Sequence, residues 1–286
     1  METRVSSATK EVLITAAGPT VLIGERINPS GKKKLAAALK RGDIDAISRE
    51  AVAQVAAGAD ILDINVACSG VDEIAMLPKV VEKVMAAVDV PLCIDINNPA
   101  ALKETLKIYH GKPIVNSVTG EERSLNEILP LVKEYGAAVI GLTIDDEGIS
   151  QEPDRRVAIA HKIVERAAQL KIPPEDVIID CLALSLGADS NVGLVTLEAV
   201  RKVKAELGVN QTLGASNISF GLPDRHLVNH TFLALAIAAG VTCPTVDAAK
   251  VGAGVLSIDL VLGRDRFAQR YTRDFRQRKR QKDQKN

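Results

Sequence analysis

The feature that most constrains this chain is an alternation that recurs eight times. A short, β-branched apolar run ends in polar residues, and a longer helical pattern follows. The strand-like runs span 21–27, 60–66, 91–97, 113–118, 138–144, 177–182, 212–218 and 242–247. Helical periodicity covers 43–57, 74–88, 99–109, 124–135, 154–170, 192–207, 224–239 and 251–262. Start and stop signals agree with these bounds. Asn98-Pro99 suits a helix start, and Gly58 and Gly136 fall where helices should end. Near-continuous apolar runs such as AAVIGLTI and DVIIDCL suit a parallel sheet covered by helices. Eight strand–helix units in about 250 residues define an α/β fold, a single-domain (β/α)8 TIM barrel. An open nucleotide-binding sheet should show G-x-G-x-x-G after its first strand, where this chain reads GERINPSG.

Residues 1–20 form an N-terminal extension, in which EVLITAA reads as an extra strand closing the barrel bottom. The barrel takes 21–263, and 264–286 is a basic C-terminal segment. That segment carries ten Lys/Arg against three Asp, so the body is as acidic as the tail is basic. A frayed, solvated end is expected for it, with an acidic partner or nucleic acid as the alternative. The acidic body argues against nucleic acid as the substrate. The core must be aliphatic, since the chain has no Trp, three Tyr and four Phe. Cys68, Cys93, Cys181 and Cys243 form no C-x-x-C and stand away from His at zinc spacing, so reduced thiols and a cytoplasmic location are expected. Neither a signal peptide nor a membrane span is expected.

In such a barrel the strand C-termini build the active site. The polar residues fall there: Glu25, Arg26 and Asn28; Asp63 and Asn65; Asp95 and Asn97; Asn116 and Ser117; Thr143 and Asp145; Asp180; Ser216 and Asn217; Asp247. Strand side chains alternate faces, so Asp and Asn of each Asp-Ile-Asn share the interior while Ile faces the helices. Carboxylates beside amides suit an amino-pyrimidinone edge, as in a pterin or guanine: carboxylate oxygens accept from ring N–H and exocyclic NH2. A divalent cation held by Asp63, Asp95, Asp180 and Asp247 is the rival reading. His226 and His230 lie one helical turn apart but lack a third zinc ligand, and no protein-bound metal is expected. No Ser-His-Asp or Cys-His set is evident, and no lysine ends a strand, so chemistry should proceed by positioning and hydrogen bonding.

GERIN (24–28), DINV (63–66), CIDINN (93–98), VNS (115–117), IID (178–180), GASNISFGLPDR (214–225) and NHTFLALAIAAG (229–240) together resemble the pterin-binding methyltransferases. These include methyltetrahydrofolate:corrinoid protein methyltransferase and the folate domain of cobalamin-dependent methionine synthase. The resemblance implies that Asp95, Asn116 and Asp180 hold the pyrimidine edge of the pterin. It implies that Asp63 and Asn65 line the same cup, that Ser216 and Gly214 join the pterin site, and that Asn217 reaches N5 as the catalytic residue. It further implies tetrahydrofolate or 5-methyltetrahydrofolate as substrate, cobalamin on a separate corrinoid protein, and a homodimer. Dihydropteroate synthase is the near alternative, but GERINPSGKKK lacks that family's Asn-x-Thr-x-Asp-Ser-Phe loop. A non-catalytic pterin or folate carrier is the other alternative, and it would need no partner for N5.

Overall fold

Several barrel strands change character along their inner face, from apolar at one end to polar at the other. The computed structural model describes residues 1–283; positions 284–286, the end of the basic segment, lie outside the described residues. The barrel strands are β3 (Ile23–Ile27), β4 (Ile61–Ile64), β5 (Leu92–Asp95), β6 (Ile114–Thr119), β7 (Ala138–Leu142), β8 (Val177–Asp180), β9 (Gln211–Thr212) and β10 (Thr245–Val246). All pair in parallel, in chain order, with β10 beside β3. A parallel bridge between Gly214 and Thr245 closes β9 onto β10. Ile61, Cys93, Ile114, Ile140 and Ile178 point inward and form an interior cluster. Their neighbours Leu62, Ile64, Leu92, Ile94, Val115 and Ile179 point outward into the larger core under the helices. Two residues beyond four of the inward apolar positions stand Asp63, Asp95, Asn116 and Asp180. The period of two therefore puts these polar groups inside the upper barrel.

The lower end is plugged by a hairpin, β1 (Glu2–Ser6) with β2 (Glu11–Thr15). Val5, Val12 and Ile14 join the interior cluster. Asn210 Nδ2 donates to the carbonyl of Ile14 and to Thr3 Oγ1, both at 2.9 Å, tying the plug to the barrel. The extra strand expected from EVLITAA is thus present, paired with a second strand from the chain's first residues. Ile14 is fully buried. We expect Ile14→Ala to lower unfolding free energy by about 3 kcal/mol, measured by urea titration, because the plug leaves little room to collapse around the lost methyls.

The helices are α1 (Lys33–Lys40), α2 (Ile44–Ala56), α3 (Glu73–Ala87), α4 (Pro99–Ile108), α5 (Glu122–Tyr135), α6 (Pro153–Gln169), α7 (Val192–Glu206), α8 (Arg225–Ala239), α9 (Ala248–Val261) and α10 (Gln269–Asp283). Short polar side chains start several of them. Asp72 accepts from the Ile74 and Ala75 amides, and Asn98 from Ala100 and Ala101, with Pro99 in the first turn. Two expectations need correction. The run 212–218 is a strand only at Gln211–Thr212; Ala215–Ser219 coils into a 3-10 turn. The basic segment is not frayed over its described length: it forms α10, whose first amides Asp265 caps. Fully buried Asp259 of α9 holds it down by accepting from Arg270 at 3.0 Å and from Thr20 Oγ1 at 2.7 Å. Among the described residues no helix is long and apolar enough to cross a membrane.

Candidate active site

Carboxylates and amides alternate across the first strands of the mouth. Asn116 Nδ2 on β6 donates to Asp63 Oδ1 on β4 at 3.1 Å. Asn65 Nδ2, just past β4, donates to Asp95 Oδ2 on β5 at 2.9 Å. Asp95 and Asn116 are direct neighbours in the β5–β6 register. Asp63 is the deepest, at 3% exposure. Burial pushes its carboxyl well above the usual carboxylate range, and the nearby Asp95 charge adds to this. Burial likewise raises Asp95, against the pull of its Asn65 hydrogen bond. This floor therefore holds one or more carboxyls that give up their protons reluctantly, already lined up with amides.

Asp180 ends β8 across the mouth. Burial pushes its carboxyl up to about 6, although the Leu182 and Gly214 amides and the Arg156 charge pull it down. Leu182 N donates to Asp180 Oδ1 at 2.7 Å from a left-handed backbone, φ 60°. Fully buried Arg156, in the first turn of α6, donates Nη1 to the carbonyls of Cys181 (2.7 Å) and Leu182 (2.8 Å), and Nε to Ser150 O (2.7 Å). Gly214 follows β9, and a Cβ there would stand 3.2 Å from Asn217 Nδ2. Glycine thus leaves room for the Asn217 amide to fold back over the Gly214 backbone. Asn217 itself sits exposed on the 3-10 turn, its backbone fixed by hydrogen bonds to Gly214 O and from Phe220 N, both at 3.2 Å.

Ser216 Oγ donates to Glu25 Oε2 at 3.2 Å, joining the 3-10 turn to the end of β3. Burial raises the Glu25 carboxyl above its ordinary range, the Ser216 bond opposing. The sequence marks Glu25 as a strand-end acid, yet nothing local shows that it lies one residue from Asn217. Arg156 was also missed; an arginine in a helix's first turn, where positive charge is disfavoured, is the signal that could have found it. Other strand-end groups turn elsewhere. Asp145 pairs with Arg155 at 3.0 Å, and Asp247 with Arg26 (3.4 Å) and Lys250 (3.2 Å). That leaves Asp247 out of the four-aspartate cation site weighed from sequence. His226 and His230 stack at 4.2 Å on α8. Among the described residues no three His, Cys, Asp or Glu side chains come together as metal ligands.

The ends of β3, β4, β5, β6, β8 and β9 thus bring carboxylates and amides to one mouth of the barrel. The family model of pterin binding enzymes matches residues 24–247. The chain belongs to the pterin-binding enzyme family. This pterin-binding enzyme is 31% identical over 270 residues to a methylcorrinoid:tetrahydrofolate methyltransferase of Eubacterium limosum, covering 91% of this chain and 97% of that one. It is 30% identical over 263 residues to methionine synthase of Mycobacterium tuberculosis, covering 87% of this chain but 22% of that larger protein. Among solved structures, dihydropteroate synthase from Xanthomonas albilineans in complex with 7,8-dihydropteroate superposes with a TM-score of 0.71 at 17% identity, covering 91% of this chain and 98% of that one. A Yersinia pestis dihydropteroate synthase gives 0.69 at 16%, with the same coverage. At such identities the likeness speaks for the barrel alone.

Proposed function

We propose that this enzyme moves a methyl group between N5 of tetrahydrofolate and the cobalt of a corrinoid carried by a separate protein. The observation that carries the reading is the likeness to the Eubacterium limosum methyltransferase over nearly the whole of both chains. The corrinoid is a substrate, and its cobalt gives or receives the methyl group. Asp95, Asn116 and Asp180 hold the pyrimidine edge of the pterin. Their carboxylates accept from ring N–H and NH2, and the amide pairs with ring nitrogen and carbonyl. Asp63 and Asn65 line the cup beneath and hold Asn116 and Asp95 in place. Gly214 and Ser216 shape the turn that brings Asn217 to N5. A tertiary amine is a poor leaving group, so N5 must carry positive charge when its methyl departs. Asn217 accepts a hydrogen bond from protonated N5, or turns its amide to donate to neutral N5, and so stabilises the charge that changes in the transition state.

Homodimer formation is supported by the family resemblance and by the exposed apolar residues Leu227 and Leu235 on α8 and Val261 on α9. Four cysteines without a disulfide support a cytoplasmic location. The test is spectral. Tetrahydrofolate with methylcobalamin, and separately methyltetrahydrofolate with cob(I)alamin, are mixed with enzyme while cobalt absorbance is followed. We expect turnover in at least one mixture, with the faster giving the physiological direction. p-Aminobenzoate with a pterin pyrophosphate should give no dihydropteroate; product there, with both cobalt mixtures silent, would refute methyl transfer.

A further inference from the structure

We infer that Arg156 is a positioning residue, which holds the turn after β8 so that Asp180 meets the pterin already aimed. This rests on the reading that Asp180 binds the pterin edge.

The arginine is in an unfavourable place for a cation. It is fully buried, it lies in the first turn of α6, where the helix dipole disfavours positive charge, and its Nη2 has no hydrogen-bond partner. Among the described residues no carboxylate hydrogen-bonds to it, and Asp180 acts on it through charge alone. Its fork goes instead to main-chain carbonyls from two loops of the mouth: Ser150 O from the loop before α6, and Cys181 O and Leu182 O from the loop after β8. Thr196 Oγ1 on α7 completes the bracket, accepting from Arg156 Nη1 at 3.2 Å and sharing its one proton between Leu182 O at 3.0 Å and Val192 O at 2.9 Å.

The residue so held is Leu182, a non-glycine residue at φ 60°. Leucine does not rest there without support. In that conformation its carbonyl turns down to Arg156 while its amide turns back to Asp180 Oδ1. Arg156 therefore fixes Asp180 Oδ1 through the peptides on either side of Leu182. The same loop carries the effect further: Leu186 N donates to Ile218 O at 2.9 Å, and Ser185 Oγ donates to Phe220 O, so the bracketed loop also braces the turn bearing Asn217. A planar fork can reach carbonyls on both loops at once; an ammonium supplies charge without that span.

The experiment measures tetrahydrofolate affinity and methyl-transfer kinetics for Arg156→Lys, Arg156→Met and Asp180→Asn, each with its melting temperature. Arg156→Met should weaken affinity about tenfold. Arg156→Lys should recover the melting temperature yet leave affinity about fivefold low, with kcat at saturating pterin within about twofold. In the Asp180→Asn background, Arg156→Lys should add little, because the arginine acts through that carboxylate. A merely structural arginine would lower melting temperature and active fraction and leave the affinity of the folded protein unchanged. If Arg156→Met does not fold, Arg156→Lys and Thr196→Val carry the test, the latter expected to weaken binding about threefold. Wild-type affinity in the folded Arg156 variants, with Asp180→Asn impaired, overturns the proposal alone. Wild-type affinity in Asp180→Asn overturns the reading of Asp180, and the proposal with it.

Discussion

Replacing Asn217 by alanine is expected to lower kcat for methyl transfer about a hundred- to a thousandfold, while affinity for tetrahydrofolate moves by less than about threefold. The size is that of losing one preorganised hydrogen bond to a group whose charge changes in the transition state. The split follows from the geometry. The floor residues Asp63, Asp95, Asn116 and Asp180 lie on strands and already hold one another or neighbouring amides. On the proposed reading they supply binding felt equally by substrate and transition state, to which Asn217 adds little. Asn217 stands above them on its 3-10 turn, and the hydrogen bonds that fix it there run through its own backbone. Alanine keeps those bonds, so the turn should survive and the variant should fold. Stopped-flow absorbance of the cobalt, with pterin binding followed separately by fluorescence, gives both numbers. Matched losses in kcat and affinity would mean that Asn217 binds the pterin uniformly and does nothing special at N5.

The barrel was readable in the sequence because its period-two logic is local. Ile61-Leu62-Asp63-Ile64-Asn65 states, in five residues, which side chains face the axis and where the apolar bottom gives way to the polar mouth. Leu92 to Asp95 repeats the statement. What the pattern could not carry were features set by distant partners. Pairing ends at Gly214, which still bridges Thr245, and the 3-10 turn over Ala215–Ser219 that carries Asn217 has the apolar content of a continuing strand. α10 looks like a solvated basic tail until Asp259, buried in the last turn of α9, is found bonded to Arg270 and Thr20. β1 was invisible for a similar reason: ETRVS has a weak alternation of its own and gains its place by pairing with β2 over the barrel floor. Arg156 and Glu25 belong to the same class. Their residue types were plain, but their roles depend on backbone from loops far away in sequence.

Asp180→Asn should pull stability and binding in opposite directions. Burial holds the Asp180 carboxyl at about 6 in the folded chain, above the ordinary value of 3.8. A carboxyl raised on folding binds protons more tightly in the native state. Stability is therefore lost as pH climbs from about 4 through about 6, and at pH 7.5 the free protein carries the whole penalty of an ionised buried group. Asparagine removes the charge and can still accept from the Leu182 amide. We expect the ligand-free variant to be more stable than the wild type at pH 7.5, by about 1–2 kcal/mol given that the carboxyl is partly open to solvent, and the difference to vanish near pH 4. Urea titrations at the two pH values measure it. Binding should run the other way. An ionised Asp180 accepts charge-assisted hydrogen bonds from the pterin's N–H groups, whereas the amide presents one acceptor and one mismatched donor. Tetrahydrofolate affinity at pH 7.5 should fall by about a hundredfold. The wild-type affinity should itself decline below pH 6 as the carboxylate takes up its proton. Any slope that persists in the variant belongs to the other raised carboxyls of the mouth, Asp63, Asp95 and Glu25. A variant that gained stability but kept full affinity would leave Asp180 as a strained carboxylate with no ligand, and the pterin edge would have to be sought among the groups on β4 to β6.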